Sequence, residues 1–129
     1  MPFDGTSKRS AGSDASQSTI VLNMMEFFFD GGARWARRTF CTDDGKRCIL
    51  GALEYVRCEA GQSDDRAVEY IARAINRRQA RMLLPPLGDC NRTTIIGFND
   101  AFRRSFADVA AILSEAKELA TIDAGARAT

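Results

Sequence analysis

The stretch Ile20 to Phe29 constrains this chain more than any other. Val21, Met24, Met25 and Phe28 recur at helical spacing, and Leu22, Phe27 and Phe29 widen the apolar stripe. A helix with so broad an apolar surface predicts burial against more than one neighbour, and therefore a bundle. Asn23 and Glu26 interrupt the stretch, which is about half the length that spans a bilayer, so no transmembrane helix is expected. Ser18 stands where an N-cap belongs, and Asp30-Gly31-Gly32 supply the stop. Residues 1–17, rich in Ser, Gly and Asp, cannot bury enough surface to offset ordering entropy and are expected to form a disordered arm.

Three further helices follow from the same reasoning. One is expected from Cys48 to Ala60, burying Ile49, Leu50, Leu53 and Val56 and stopping at Gly61. Its Gly51 and Ala52 are small enough to let another backbone approach closely. A second starts after Ser63 or Asp64 and runs to Arg81, with Ala67, Val68, Ile71 and Ile75 inward, until Leu84-Pro85-Pro86 ends the run. A third is opened by Ser105 with Asp108 three residues on, and buries Phe106, Val109, Ile112, Leu113 and Ala116. Between them, Arg34 to Cys41 is short and β-tolerant and leads into the turn Asp43-Asp44-Gly45. It predicts an extended segment or short β-hairpin around Trp35 to Thr42. Ile95-Ile96-Gly97-Phe98 reads equally as helix or strand. The expected fold is thus mainly α, a compact bundle of about four helices over residues 18–120, with a loose tail at 121–129.

At 129 residues the chain suits one domain that needs neither metal nor disulfide to hold it. Hydrophobic residues at 45% and charged residues at 27% match soluble usage, which argues against disorder or a membrane protein. The net charge of +1 gives no global field toward nucleic acid or an acidic membrane, so such binding would need a local patch. Lys8 and Arg9 are followed by polar residues rather than an apolar core, which does not resemble a secretory signal. A cytoplasmic protein with reduced thiols is expected, in which the Asn91-Arg92-Thr93 sequon goes unused.

Candidate chemistry is sparse. There is no histidine, and Cys41, Cys48, Cys58 and Cys90 form no C-x-x-C pair, so neither a metal site nor a cofactor is indicated. Cys48 and Cys58 lie about 15 Å apart along one helix and cannot bridge; Cys41 and Cys48 could meet across the turn. Cys48 sits behind a glycine turn at a helix start, where the dipole favours a thiolate. Its available bases, Asp43, Asp44 and Asp100, are poor acceptors for a thiol proton. A cysteine-dependent enzyme would therefore pair Cys48 with Asn99 and Asp100, although Phe98-Asn99-Asp100 is more economically read as a structural turn. Arginine supplies 15 of the 18 basic residues. Arg66, Arg73, Arg77 and Arg81 fall near one helix face around Tyr70, a pattern that could grip a nucleic-acid backbone or simply be a solvated face. Two smaller basic groups are Arg34, Arg37 and Arg38 around Trp35, and Arg103-Arg104.

The order Trp35, Gly45-x-x-Cys48-x-x-Gly51-Ala52-Leu53, Phe98-Asn99-Asp100-Ala101 and a Ser-led final helix with Asp108-Val109 resembles a small uncharacterised family of bacterial and phage proteins. The resemblance spans roughly residues 18 to 120. Relatives usually carry tryptophan at the place of Phe98 and often histidine at the place of Phe106, so a Cys/His site in relatives would lack its histidine here. The family has no established activity, and the resemblance implies a shared compact fold. Lacking a complete catalytic set, the chain reads first as a small interaction or regulatory module with a protein partner. A cysteine enzyme using Cys48 and a backbone binder using the arginine row are the alternatives, and the wide Met/Phe surface of the first helix also fits a homodimer.

Overall fold

The computed structural model describes residues 11–61 and 66–128, with side chains described over 15–61 and 66–125. Among the described residues there are five helices and no sheet: α1 (Ala11–Phe29), α2 (Ile49–Ala60), α3 (Ala67–Arg81), α4 (Asn91–Asp100) and α5 (Phe106–Ala128). The most extensive contact joins α1 to α5, and α3 packs on α5, α2 on α1 and α4 on α3. The core between them is continuous from Val21 and Leu22 through Tyr70 and Ile71 to Leu113 and Ala116.

Helix α1 begins at Ala11, ahead of the expected cap, so residues 11–17 are helical rather than part of an arm; residues 1–10 lie outside the described set. Ala15, Ser18, Leu22, Met25 and Phe29 recur every three or four residues on the buried face, and this tertiary face carries the helix through a sequence of weak intrinsic propensity. Ser18 caps a different helix. It is fully buried, and its Oγ accepts the Arg66 N–H at 2.7 Å, at the first residue before α3. The apolar surface of α1 is also narrower than its composition predicts, because Phe27 is 88% exposed. A turn of 3-10 helix, Asp30–Gly32, follows. Gly32 has φ +105°, and a Cβ there would lie 2.9 Å from the Phe106 ring.

Helix α2 has its expected limits. Cys48 is the N-cap, with Sγ accepting the Gly51 N–H at 3.4 Å, and Gly61 closes the helix in the left-handed conformation. The expected β-hairpin is absent. Residues 33–48 form an irregular loop held by isolated bridges from Trp35 and Cys41 to Arg47. Both bridges end on the same residue, Arg47, which leaves no register for a ladder. Cys41 and Cys48 are free thiols, the first exposed and the second buried.

Helix α3 ends at Arg81, and Gln79 Nε2 donates to the Pro85 carbonyl at 2.8 Å, tying the proline turn back onto the helix. The segment around Ile95 is helical, not a strand. A capping box between Cys90 and Thr93 starts α4, and burial of Thr94, Ile95, Phe98 and Asn99 has the spacing of a helix face. Helix α4, additional to the four expected, is the one the apolar pattern left ambiguous. Helix α5 opens on the expected reciprocal bonds, Ser105 N–H to Asp108 and Asp108 N–H to Ser105 Oγ. It continues through the expected loose tail to Ala128, with Leu119, Ala120 and Ala124 still on the core.

Candidate functional site

The long loop after α1 has no ladder to fix it, so its shape depends on side chains, and the chief of these is Asn99 on the last turn of α4. Asn99 is 1% exposed and uses both ends of its amide. Its Oδ1 accepts the Trp35 indole N–H at 2.8 Å and the Ile49 N–H at 3.1 Å. Its Nδ2 donates to the Ala36 carbonyl at 3.0 Å and to Asp100 Oδ1 at 2.9 Å. One side chain therefore joins loop, α2 and α4. Asp100 Oδ1 also accepts the Arg38 N–H at 2.7 Å, which holds Arg38 at φ +64°. Trp35 packs its ring on Phe106, with centroids 6.0 Å apart, and Phe106 packs on Phe29.

Cys48, Asn99 and Asp100 are brought together. They share the wall of a pocket of about 200 Å³ with Arg38, Thr39 and Phe40 of the loop, Leu50 of α2, and Arg92, Ile95 and Ile96 of α4. The Cys48 thiol is only 9% exposed and acts as the cap of its own helix. Among the described residues no base is bonded to it. The carboxylate and amide expected to serve it are spent on loop backbone and indole. Cys90 is exposed at the start of α4, where the Thr93 hydroxyl and then the Thr93 backbone N–H hold its pKa below the usual thiol value. Iodoacetamide at neutral pH is expected to modify Cys90 first and Cys48 last, and Cys90→Ser should remove the fastest labelling phase, located by mass spectrometry.

The arginine row packs along α5 rather than standing free. Arg73 meets Asp123 at 3.4 Å, Arg77 and Arg81 converge on Glu115 at 2.8 and 3.0 Å, and Arg66 pairs with Glu69 at 2.6 Å. The Glu115 carboxyl is held below its usual pKa, first by the Arg81 hydrogen bond. Tyr70 at the centre of the row is fully buried, and its hydroxyl donates to Asp123 at 2.7 Å. Burial, then that hydrogen bond and the Asp123 charge, push the phenol up to about 12. Since this lies above the unfolded value of about 10, the stabilisation it reflects is complete below pH 10 and is lost as pH rises through 12. Alkaline titration followed by tyrosinate absorbance should show a step near 12 that Tyr70→Phe deletes.

A second concavity, a groove of about 840 Å³, lies between α1 and α2. Met24, Phe27, Phe28, Tyr55 and Val56 form its apolar surface, with Glu26, Asp30, Glu59 and Arg34 around it. Sequence pattern offered the wide Met/Phe surface of this first helix as a candidate homodimer face, but not the part that Tyr55 and Val56 of α2 play in it. Among the described residues no three Cys, Asp or Glu side chains gather as a metal site, and no helix is long and apolar enough to cross a membrane.

Comparison with curated proteins yields no match, and comparison with solved structures yields none. The model of a family of unknown function, DUF6197, matches residues 32–119, a span that opens just before Trp35 and contains the Asn99 centre, the small pocket and the capped start of α5. On that match over more than half its length, this chain belongs to the DUF6197 family.

Proposed function

We propose that this protein is a small cytoplasmic interaction module without catalytic activity, and that it binds an amphipathic segment of a partner protein in the groove between α1 and α2. The observation that carries this reading is Phe27, a large aromatic side chain 88% exposed beside an apolar groove. Burying such a ring is worth about 2 kcal/mol, and hot spots of protein interfaces are built on anchors of this kind. Glu26 is already paired with Lys117, so Asp30 and Glu59 against Arg34 leave the groove an excess of one negative charge, which favours a partner with basic residues flanking its apolar face. The alternatives have less support. Cys48 has no bonded base, and each guanidinium of the arginine row already faces a carboxylate with which a phosphate would have to compete.

A fluorescent leucine/lysine amphipathic helical peptide serves as probe, read by anisotropy. Binding is expected for this peptide and not for its leucine/glutamate counterpart, with about tenfold loss on Phe27→Ala. Equal binding by wild type and variant, or none, would sink the reading. A dimer in light scattering that Phe27→Glu dissolves would replace the partner protein by a second copy of this chain.

A further inference from the structure

We infer that the pocket between the 38–40 loop and α4 is a binding site for a small apolar monocarboxylate. It shares no residue with the α1–α2 groove, and three features of its wall converge on that chemistry.

The first is size and polarity. A volume of about 200 Å³ is below the 300–1,000 Å³ of pockets for drug-sized ligands. Phe40 and Ile96 remain 48% and 45% exposed at the opening, while Leu50 and Ile95 close the interior, so the body of the ligand must be apolar.

The second is charge. Arg66, Arg73, Arg77, Arg78, Arg81 and Arg104 each have a carboxylate within 4.0 Å. The guanidiniums of Arg38 and Arg92, both on this pocket, form no ion pair or hydrogen bond among the described residues. Against them stands only Asp100, whose Oδ1 already accepts from the Arg38 backbone and from Asn99. The lining therefore carries an excess of one positive charge, which one carboxylate neutralises.

The third is the helix end. Within the first turn of α2, the Ile49 N–H goes to Asn99 and the Gly51 N–H to Cys48 Sγ. The N–H of Leu50, which lines the pocket, has no partner among the described residues. An orphan donor at the positive end of a helix adds to the field of the two arginines. The wall is also held in place before any ligand arrives. Asp100 fixes Arg38 at a positive φ, and the Phe40 carbonyl accepts the Cys48 N–H at 3.3 Å. Little ordering cost remains for binding.

Calorimetric titration of the full chain with 4-methylpentanoate and 3-phenylpropanoate tests this, with 4-methylpentylamine as the same apolar body carrying the opposite charge. Both acids should bind and raise the unfolding temperature, the amine should do neither, and added salt should weaken the acids. Arg38→Gln combined with Arg92→Ala should reduce acid affinity at least tenfold while the circular dichroism spectrum and unliganded unfolding temperature stay those of wild type. If Arg38→Gln impairs folding, Arg92→Ala alone, at an exposed position in the first turn of α4, carries the test with a severalfold loss. Absence of heat with either acid at millimolar concentration, equal binding of the amine, or wild-type affinity in the folded variants would overturn the assignment.

Discussion

Replacing Asn99 with leucine should destabilise the protein by about 4 kcal/mol, a large share of the 5–15 kcal/mol that holds a domain of this size together. Leucine has nearly the same shape but offers no hydrogen bonds. The Trp35 indole N–H, the Ile49 N–H and the Ala36 carbonyl would lose their partner together, at about 1–3 kcal/mol for each buried group left unpaired. Urea unfolding followed by Trp35 fluorescence measures this directly, since Trp35 is the one tryptophan and reports on the same site. Asp100→Asn provides the contrast. It keeps an oxygen for the Arg38 N–H and should cost about 1 kcal/mol. If Asn99→Leu costs no more than Asp100→Asn, the amide is not what holds the loop to the helices.

Gly51→Val should cost about 3 kcal/mol, and Gly51→Ala should also destabilise, which reverses the sign that helix propensity alone would give. A Cβ at Gly51 would meet the Phe40 backbone oxygen, a neighbour that cannot swing aside as a side-chain tip would, with the Arg47 Cβ 3.2 Å away. Gly125→Ala is the matched control. That glycine lies in α5 with nothing within 4 Å of the added Cβ, so alanine should stabilise by about 0.8 kcal/mol. Opposite signs for the two substitutions in thermal unfolding would separate close backbone approach from propensity. Two stabilising effects would mean that the 38–41 loop does not rest on α2.

The parts of the fold that were legible in the sequence are those where a local signal and the tertiary answer coincide. Gly61 ends α2 and the Ser105/Asp108 pair opens α5, because each satisfies orphan backbone groups within its own few residues. The small size of Gly51 was readable as close approach, though not the identity of the approaching Phe40 carbonyl. The start of α1 was not legible, because residues 11–17 are poor helix formers that are carried by burial of Ala15 and Ser18. Nor was α4, whose Cys90/Thr93 box lies outside the usual Ser/Asp capping signals. For the site, Cys48, Asn99 and Asp100 were grouped on the grounds of catalysis, and they do line one pocket. Only the three-dimensional structure reveals that Asn99 is spent on Trp35, Ala36 and Ile49. The arginine row was visible as a pattern, while Asp123 and Glu115, which neutralise it, lie 34 to 50 residues further along the chain.

The pairing of the first helix with the last fixes the order in which this fold can be completed during synthesis. Helix α1 makes its most extensive contact with α5, the Phe29 ring packs on Phe106, and Lys117 reaches back to Asn23 and Glu26 at 3.0 and 2.7 Å. The residues between Phe29 and Phe106 take roughly 4 to 15 s to translate at about 5–20 residues per second. Throughout that interval α1 has only α2 and α3 to cover it and lacks its largest partner, so closure of the bundle waits on a contact of high sequence separation. A nascent chain stalled within α4 should therefore bind chaperones that protect exposed apolar helices, and release them only once α5 has left the ribosome.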